Sequence, residues 1–276
     1  MLLLRRRIAL LRLHGVIGAR VRTVDYGPLL ARVARNPRWA ALVLDISSPG
    51  GSAAASEHLA FLLEKVAERK PVVAFVREAA LSGGYMLACA AHRVVAGPGS
   101  LVGSIGVISW HPVAGELLAR LGVAVEVAKS AEMKDMGAFY RQPTAAEREK
   151  QRQLVDDYLQ DFLDLVARGR RVERTVAESW ATGELFTARR GVQTGMVDEI
   201  GDLERALDLA AELARMPRRV LVLRPRQSWW GSLGNRAMRA AGEAAWGELA
   251  SLAGWGMAAA ASRQGQGERG SRDADS

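Results

Sequence analysis

Ser82-Gly83-Gly84 stands between an apolar run and an alanine-rich run of helical character, "REAALSGGYMLACAAH" at 77–92. A glycine in a helix costs about 1 kcal/mol relative to alanine. Two of them directly after a serine therefore ask for a reason other than helix propensity. A serine hydroxyl at a helix N-terminus is placed for nucleophilic attack on an acyl carbon, with neighbouring backbone N–H groups receiving the developing oxyanion. Taken alone, Ser82 is equally an N-cap, for which serine is a preferred residue. A base decides between the two.

The cations supply one. The chain has 33 arginines and five lysines: Lys65, Lys70, Lys129, Lys134 and Lys150. Arginine cannot lose its proton in a protein, whereas a desolvated lysine can become a neutral amine. Lys65, Lys70 and Lys150 fall on polar faces of predicted helices. Lys129 and Lys134 follow the apolar run "VAVEVA" in "KSAEMKDMGAF", where a loop can return to the active edge of a sheet. A Ser–Lys dyad needs neither histidine nor carboxylate. Spacing alone does not choose between the two lysines. A second glycine-bearing segment, "DISSPGGS" at 45–52, ends a strand and feeds a helix. Gly50 and Gly51 there would let backbone N–H groups approach a substrate without interference from a Cβ.

These residues need a scaffold, and strands alternating with helices provide it. Runs at 6–12, 41–46, 71–76, 93–97, 106–109 and 123–128 read as strands, with helices near 52–69, from Ser82, and near 113–121. That alternation predicts an α/β fold with a parallel sheet and crossover helices. From Thr144, "TAAE" forms a capping box before a long helix. Shorter helices follow near 172–181, 187–194 and 202–215, and "RVLVLRP" could add a strand. The expected organisation is a catalytic α/β domain over 1–142 and helical elements of the same domain over 143–217, serving oligomerisation. A Trp- and Ala-rich C-terminal extension follows over 218–262, then a polar, low-complexity tail over 263–276 expected to be disordered.

Composition narrows the function classes. The single cysteine, Cys89, excludes an internal disulfide and reads as core. Four histidines without metal spacing give a zinc site no support, so neither metal nor organic cofactor is expected. The net charge of +8 is concentrated early: the first 40 residues carry nine arginines against one acid, Asp25. Such a concentration can attract anionic lipid headgroups or nucleic acid, or can be simply a solvated basic surface; no nucleic-acid motif points to DNA or RNA, and peripheral contact with an anionic membrane stays open. Arginines interrupt the apolar N-terminus below signal-peptide length. No window reaches the ~20 uncharged residues of a spanning helix. The expected location is cytoplasmic or peripheral to the cytoplasmic membrane.

"SSPGGS", "ALSGGYMLA", "GSIGVI", "KSAEMKD" and "GELFTARRGVQTGMVDEIG" together resemble, in order and over about residues 6 to 216, the signal peptide peptidase A family of S49 serine peptidases. The resemblance implies a ClpP/crotonase-like fold of repeated β-β-α and β-α units and a ring- or dome-shaped homo-oligomer. Extended apolar peptides, such as remnant signal peptides, would be the substrates. It makes Ser82 the nucleophile, Lys134 the base and Ser104 the hydroxyl that orients the lysine. It places the oxyanion donors at Gly83 and the Gly50–Gly51 turn. Leu81, Tyr85 and Lys129 become candidates to face substrate. Leu81 stands where relatives commonly carry alanine, and Ser47 where many carry asparagine.

Three other readings compete. A Ser–His–Asp triad finds no partner in His92, which lies about ten helical residues, roughly 15 Å, from Ser82. A crotonase-type acyl-CoA enzyme would share the oxyanion hole but usually relies on carboxylates. A non-catalytic scaffold at a membrane surface fits the basic start and Trp-rich end, yet has no use for Ser82, Ser104 and Lys134.

Overall fold

The computed structural model describes residues 6–225. The Trp-rich segment and the polar tail lie outside the described residues. The chain runs through β1 (Arg7–His14), α1 (Thr23–Arg35), β2 (Trp39–Ser48), α2 (Ala53–Ala67), β3 (Val72–Leu81), α3 (Gly83–Cys89), β4 (Arg93–Ala96) and β5 (Leu101–Gly103). Then come α4 (Gly115–Arg120), a 3-10 turn at Glu132–Asp135, α5 (Ala145–Arg170), α6 (Arg174–Ser179), β6 (Leu185–Thr187), α7 (Ala188–Thr194), β7 (Glu199–Ile200), α8 (Leu203–Leu213) and β8 (Val220–Leu223).

All eight strands join one sheet along the path β6-β5-β3-β2-β1-β8, with β4 on β3 and β7 on β4. Every pairing is parallel except β5 with β6. This is the mixed α/β, mostly parallel architecture that the alternating pattern demands. β8 pairs with β1, so the first residues read as a C-terminal extension belong to the sheet.

One register slip shapes the site. Ile46 pairs with Val76, but Ser48 pairs with Ala80, so β3 carries two extra residues against β2. Across that bulge β3 changes partner. Val73–Val76 pair with β4, whereas Ala79–Leu81 pair with β5. The last residues before Ser82 are thus held by β2 on one side and β5 on the other.

Burial splits by strand parity. Ala9, Leu11 and Leu13, with Leu42, Leu44 and Ile46, build the larger core together with α1, α2, α3 and α5. Ile8, Leu10, Val43, Val73 and Phe75 meet Ala206, Leu207 and Ala210 of α8 on the other face. Cys89 is a core residue, its thiol pushed up to about 12 by burial.

Two expected strands do not form. Residues 106–109 and 123–128 belong to no strand, and β5 arises instead at Leu101–Gly103. The alternation of Val123, Val125 and Val127 gives strand propensity but no neighbour to pair with, and all three are more than two-fifths exposed. Conversely, Gly27 and Pro28 inside α1 mask its helical character in the sequence. Burial of Tyr26, Leu30 and Val33 stabilises it where propensity would not.

Helix α5 reaches α3 through a glycine. A Cβ built at Gly169 would stand 2.1 Å from the Cys89 carbonyl oxygen. Gly169→Ala should therefore destabilise the chain by about 1–3 kcal/mol, the usual cost of overpacking, measured as a lower urea midpoint. An unchanged midpoint would show that α5 can shift freely.

Candidate active site

Ser82 occupies the single-residue junction between β3 and α3, with φ 49° and ψ −122°. Side chains other than asparagine and aspartate rarely enter the left-handed half of backbone space, and strain held there clusters at functional sites. The surroundings impose it. The Ser82 N–H donates to the Gly103 carbonyl at 2.8 Å, and its own carbonyl accepts from Tyr85 and Met86 as the helix begins. Its side chain makes no capping hydrogen bond, so the bland reading of Ser82 as an N-cap does not describe it.

The glycines around Ser82 answer to close packing. A Cβ at Gly83 would lie 2.1 Å from Ser56 Oγ of α2, and one at Gly84 would lie 2.9 Å from the Ser48 carbonyl oxygen. At Gly50, with φ +98°, a Cβ would meet the Leu81 carbonyl oxygen and the Ser82 Cβ at 2.9 Å and the Gly83 nitrogen at 3.0 Å. At Gly51, with φ +150°, it would stand 2.2 Å from the Ile17 carbonyl oxygen. The turn after β2 is pressed against the start of α3.

The turn is fastened by a hydroxyl that sequence reasoning missed. Ser48 Oγ donates to the Gly15 carbonyl at 2.8 Å and accepts from the Gly50 N–H at 3.1 Å. Ile17 completes the brace, donating to the Gly50 carbonyl and accepting from the Ser52 N–H. Gly50 therefore spends its N–H inside the turn and, contrary to expectation, has none to offer an oxyanion. Gly51 is exposed, and its N–H, like that of Gly83, has no hydrogen-bond partner among the described residues.

Ser104 follows Gly103, which pairs with Leu81, so the two serines end adjacent strands. Ser104 also has positive φ, 50°, and its N–H donates to the Glu184 carbonyl at 2.7 Å. Leu81 is half-buried beside it. Tyr85 does not face substrate. It is fully buried, and its hydroxyl donates to the Met196 carbonyl at 3.0 Å. Position 85 lies one helical turn beyond Ser82, but on the face that α3 turns to the core.

Lys134 sits in the 3-10 turn at Glu132–Asp135, exposed, its ammonium without a partner among the described residues. Lys129 Nζ instead pairs with Asp135 Oδ1 at 2.9 Å and donates to the Glu132 carbonyl. Asp135 is the hub of this loop, accepting also from the Tyr140 hydroxyl and from Arg141. Arg141 continues to Glu147 at 2.6 and 2.8 Å. Glu147, almost fully buried, closes the capping box with Thr144 at the start of α5. The network ties the lysine-bearing turn to a long helix. Hydrogen bonds from Arg141 and from the Thr144 N–H hold the Glu147 carboxyl down at about 2, and those from Arg141 and Lys129 hold Asp135 well below the ordinary carboxylate range. A cavity of about 390 Å³ opens beside it, between α4, the 123–127 segment and Arg141.

The histidines stand apart. His14 Nε2 lies 3.3 Å from Asp45 Oδ1, but Asp45 belongs to the sheet face opposite α3, where Arg77 grips it with two hydrogen bonds of 2.9 and 2.7 Å. Burial alone would raise the Asp45 carboxyl; the His14 and Arg77 contacts outweigh it and hold it below its ordinary value. His92 accepts from the Val72 N–H at the far end of β3, and His111 contacts Gln151. Among the described residues no cluster of ligating side chains could hold a metal ion.

The profile of Peptidase family S49 matches residues 64–216. The chain belongs to Peptidase family S49. A candidate protease of Methanocaldococcus jannaschii is 34% identical over 175 residues, covering 63% of this chain and 56% of that protein. The chloroplastic serine protease SPPA of Arabidopsis thaliana is 32% identical over 188 residues, covering 67% of this chain and 28% of that protein. The chain thus spans just over half the length of the first and less than a third of the second. Among solved structures, a serine mutant of the 1510-N membrane-bound stomatin-specific protease aligns with a TM-score of 0.54 at 15% identity, covering 80% of this chain and 99% of that one. That likeness agrees with the α/β fold expected from the family resemblance.

Two measurements check this architecture. Ser48→Ala leaves the Gly50 N–H and the Gly15 carbonyl unpaired in a buried turn, so it should lower stability by about 1–3 kcal/mol, read from denaturant melts. Glu147→Gln should speed amide hydrogen exchange across 129–142 while leaving exchange in β1–β3 slow; equal rates would show that the loop is held by something else. In the wild type the Glu147 anchor is complete above about pH 4.5 and is lost as pH falls toward 2, because the folded carboxyl titrates below its ordinary value.

Proposed function

We propose that the chain is a serine endopeptidase that cleaves extended apolar peptides, remnant signal peptides among them, through a Ser82–Lys134 dyad. The observation that carries this reading is the Ser82 backbone itself: a side-chain-bearing residue at φ 49°, free of any capping bond, set beside the open N–H groups of Gly83 and Gly51. Membership of a peptidase family supports it. So does the 1510-N protease, solved as a lysine mutant in complex with a substrate peptide.

In this mechanism Ser82 Oγ attacks the peptide carbonyl carbon as its proton passes to the neutral Lys134 amine. The tetrahedral oxyanion lies between the Gly83 and Gly51 N–H groups. Collapse breaks the C–N bond, and the Lys134 ammonium returns the proton to the leaving amine. Water, deprotonated by the same lysine, then attacks the acyl carbon, and the lysine ammonium returns that proton to Ser82 Oγ as the ester bond breaks. Ser104 supplies a hydroxyl to orient the lysine amine.

A lysine serves as a base only where desolvation favours its neutral form. Lys134 is exposed in the single chain, so substrate or a second copy must cover it. Ile108 and Trp110, 85% and 80% exposed, and the exposed valines at 123, 125 and 127 present an apolar surface on the same excursion. Burying that surface against another copy in a ring or dome would enclose the lysine.

The exposed Lys134 is also what favours a second reading, a non-catalytic scaffold. Hydrolysis of an apolar fluorogenic peptide separates the two. Ser82→Ala and Lys134→Arg should each lower kcat/KM by about three orders of magnitude or more, with assembly by light scattering unchanged. A Lys134→Arg variant that still cuts rejects the dyad. A wild type that assembles but cuts no peptide favours the scaffold.

A further inference from the structure

A parallel sheet gathers all its strand starts at one edge, and here that edge is lined with arginine. Arg6 and Arg7 open β1, Arg38 precedes β2, Arg69 lies just before β3, and Arg219 precedes β8. These four strands are contiguous in the order β3-β2-β1-β8, so their starts form a row with about 4.8 Å between neighbours. Hydrogen bonds fix the row. The Arg7 N–H donates to the Arg38 carbonyl at 2.8 Å, and the Ile8 N–H donates to the Arg219 carbonyl at 2.7 Å. Arg35, at the end of α1, adds a sixth guanidinium.

All six are exposed, and none forms an ion pair with an acid among the described residues. Nearby acids do not cancel them: Glu64 is engaged by Arg168 at 3.5 Å, leaving Glu68 as an exposed carboxylate close to Arg69. The C-termini of α1 and α2 reach this edge with a partial charge of about −0.5 each, which accounts for one or two cations and not for six. Lys70 senses the excess. Its ammonium, spent on the carbonyls of Asn36 and Trp39 at 2.6 and 2.8 Å, is held below its ordinary value by burial and by the repulsion of Arg6 and Arg69.

We propose that this amino-terminal edge of the sheet is a docking surface for anionic phospholipid headgroups. A row of unpaired guanidiniums complements a plane of phosphates in charge. In the sequence, the apolar Met1-Leu2-Leu3-Leu4 directly precedes Arg5, Arg6 and Arg7, a combination that a bilayer rewards and a nucleic acid does not. Trp39, the aromatic side chain at the start of β2, is buried rather than offered for base stacking. This surface lies at the opposite end of the strands from Ser82, so it is independent of the proposed cleavage.

The test is co-sedimentation of the full chain with vesicles of phosphatidylcholine, with and without phosphatidylglycerol. Binding should require phosphatidylglycerol and fall steeply as salt is raised. The triple variant Arg38→Gln, Arg69→Gln, Arg219→Gln should bind about a hundredfold more weakly while keeping the wild-type circular dichroism spectrum and peptide hydrolysis. Equal binding to neutral vesicles overturns the proposal, as does a folded triple variant that binds like the wild type. Tighter binding to a duplex oligonucleotide than to the anionic vesicles would assign the row to nucleic acid instead.

Discussion

Everything at the candidate site depends on how closely three pieces of backbone approach one another around Ser82. The turn after β2 touches the start of α3 at Gly50, α3 touches α2 at Gly83, and α3 touches β2 at Gly84. A single Cβ at any of these points would collide with an atom less than 3.0 Å away. The serine is held in its unusual conformation because no neighbour can give way. Local stiffness comes from hydrogen-bonded backbone on every side: β5 through Gly103, the Ile17 segment through Gly50 and Ser52, and the Ser48 hydroxyl through Gly15 and Gly50.

The lysine end of the proposed dyad is built on the opposite principle. From Ile108 to Val127 the chain leaves the sheet, exposes large apolar side chains and forms no strand. Beyond that stretch the Asp135–Arg141–Glu147 relay ties the turn carrying Lys134 to the capping box of α5. One half of the site is therefore rigid in the isolated chain, and the other is anchored at its far end but uncovered. Such a division suits a site completed by what binds to it, whether peptide or a second copy.

The sequence made the candidate nucleophile visible because tight packing leaves a trace in residue type. Two glycines after a serine, and two more in "SSPGGS", mark positions where a side chain has no room. The β–α alternation was visible for a related reason, since buried parallel strands are apolar runs. Other features left no such trace. Ser48 acts by bridging two backbone groups distant in the chain, and nothing in its local sequence distinguishes it from Ser47. The family resemblance offered Tyr85 to substrate, but a motif match does not say which way its helix faces. The valines at 123, 125 and 127 carry strand character that the single chain never pairs. β6 and β7 are too short, at three and two residues, to show any periodicity.

The positive φ of Ser82 also bears on how this chain tolerates change. Holding a non-glycine residue in such a conformation costs on the order of 1–3 kcal/mol, a sizeable part of the net stability of a typical domain. A glycine at position 82 would remove that cost together with the hydroxyl. Under the proposed reaction, stability and reactivity pull in opposite directions at this position. A lineage in which that reaction ceased to matter would have an immediate energetic incentive to give up this serine first, long before the glycines that surround it.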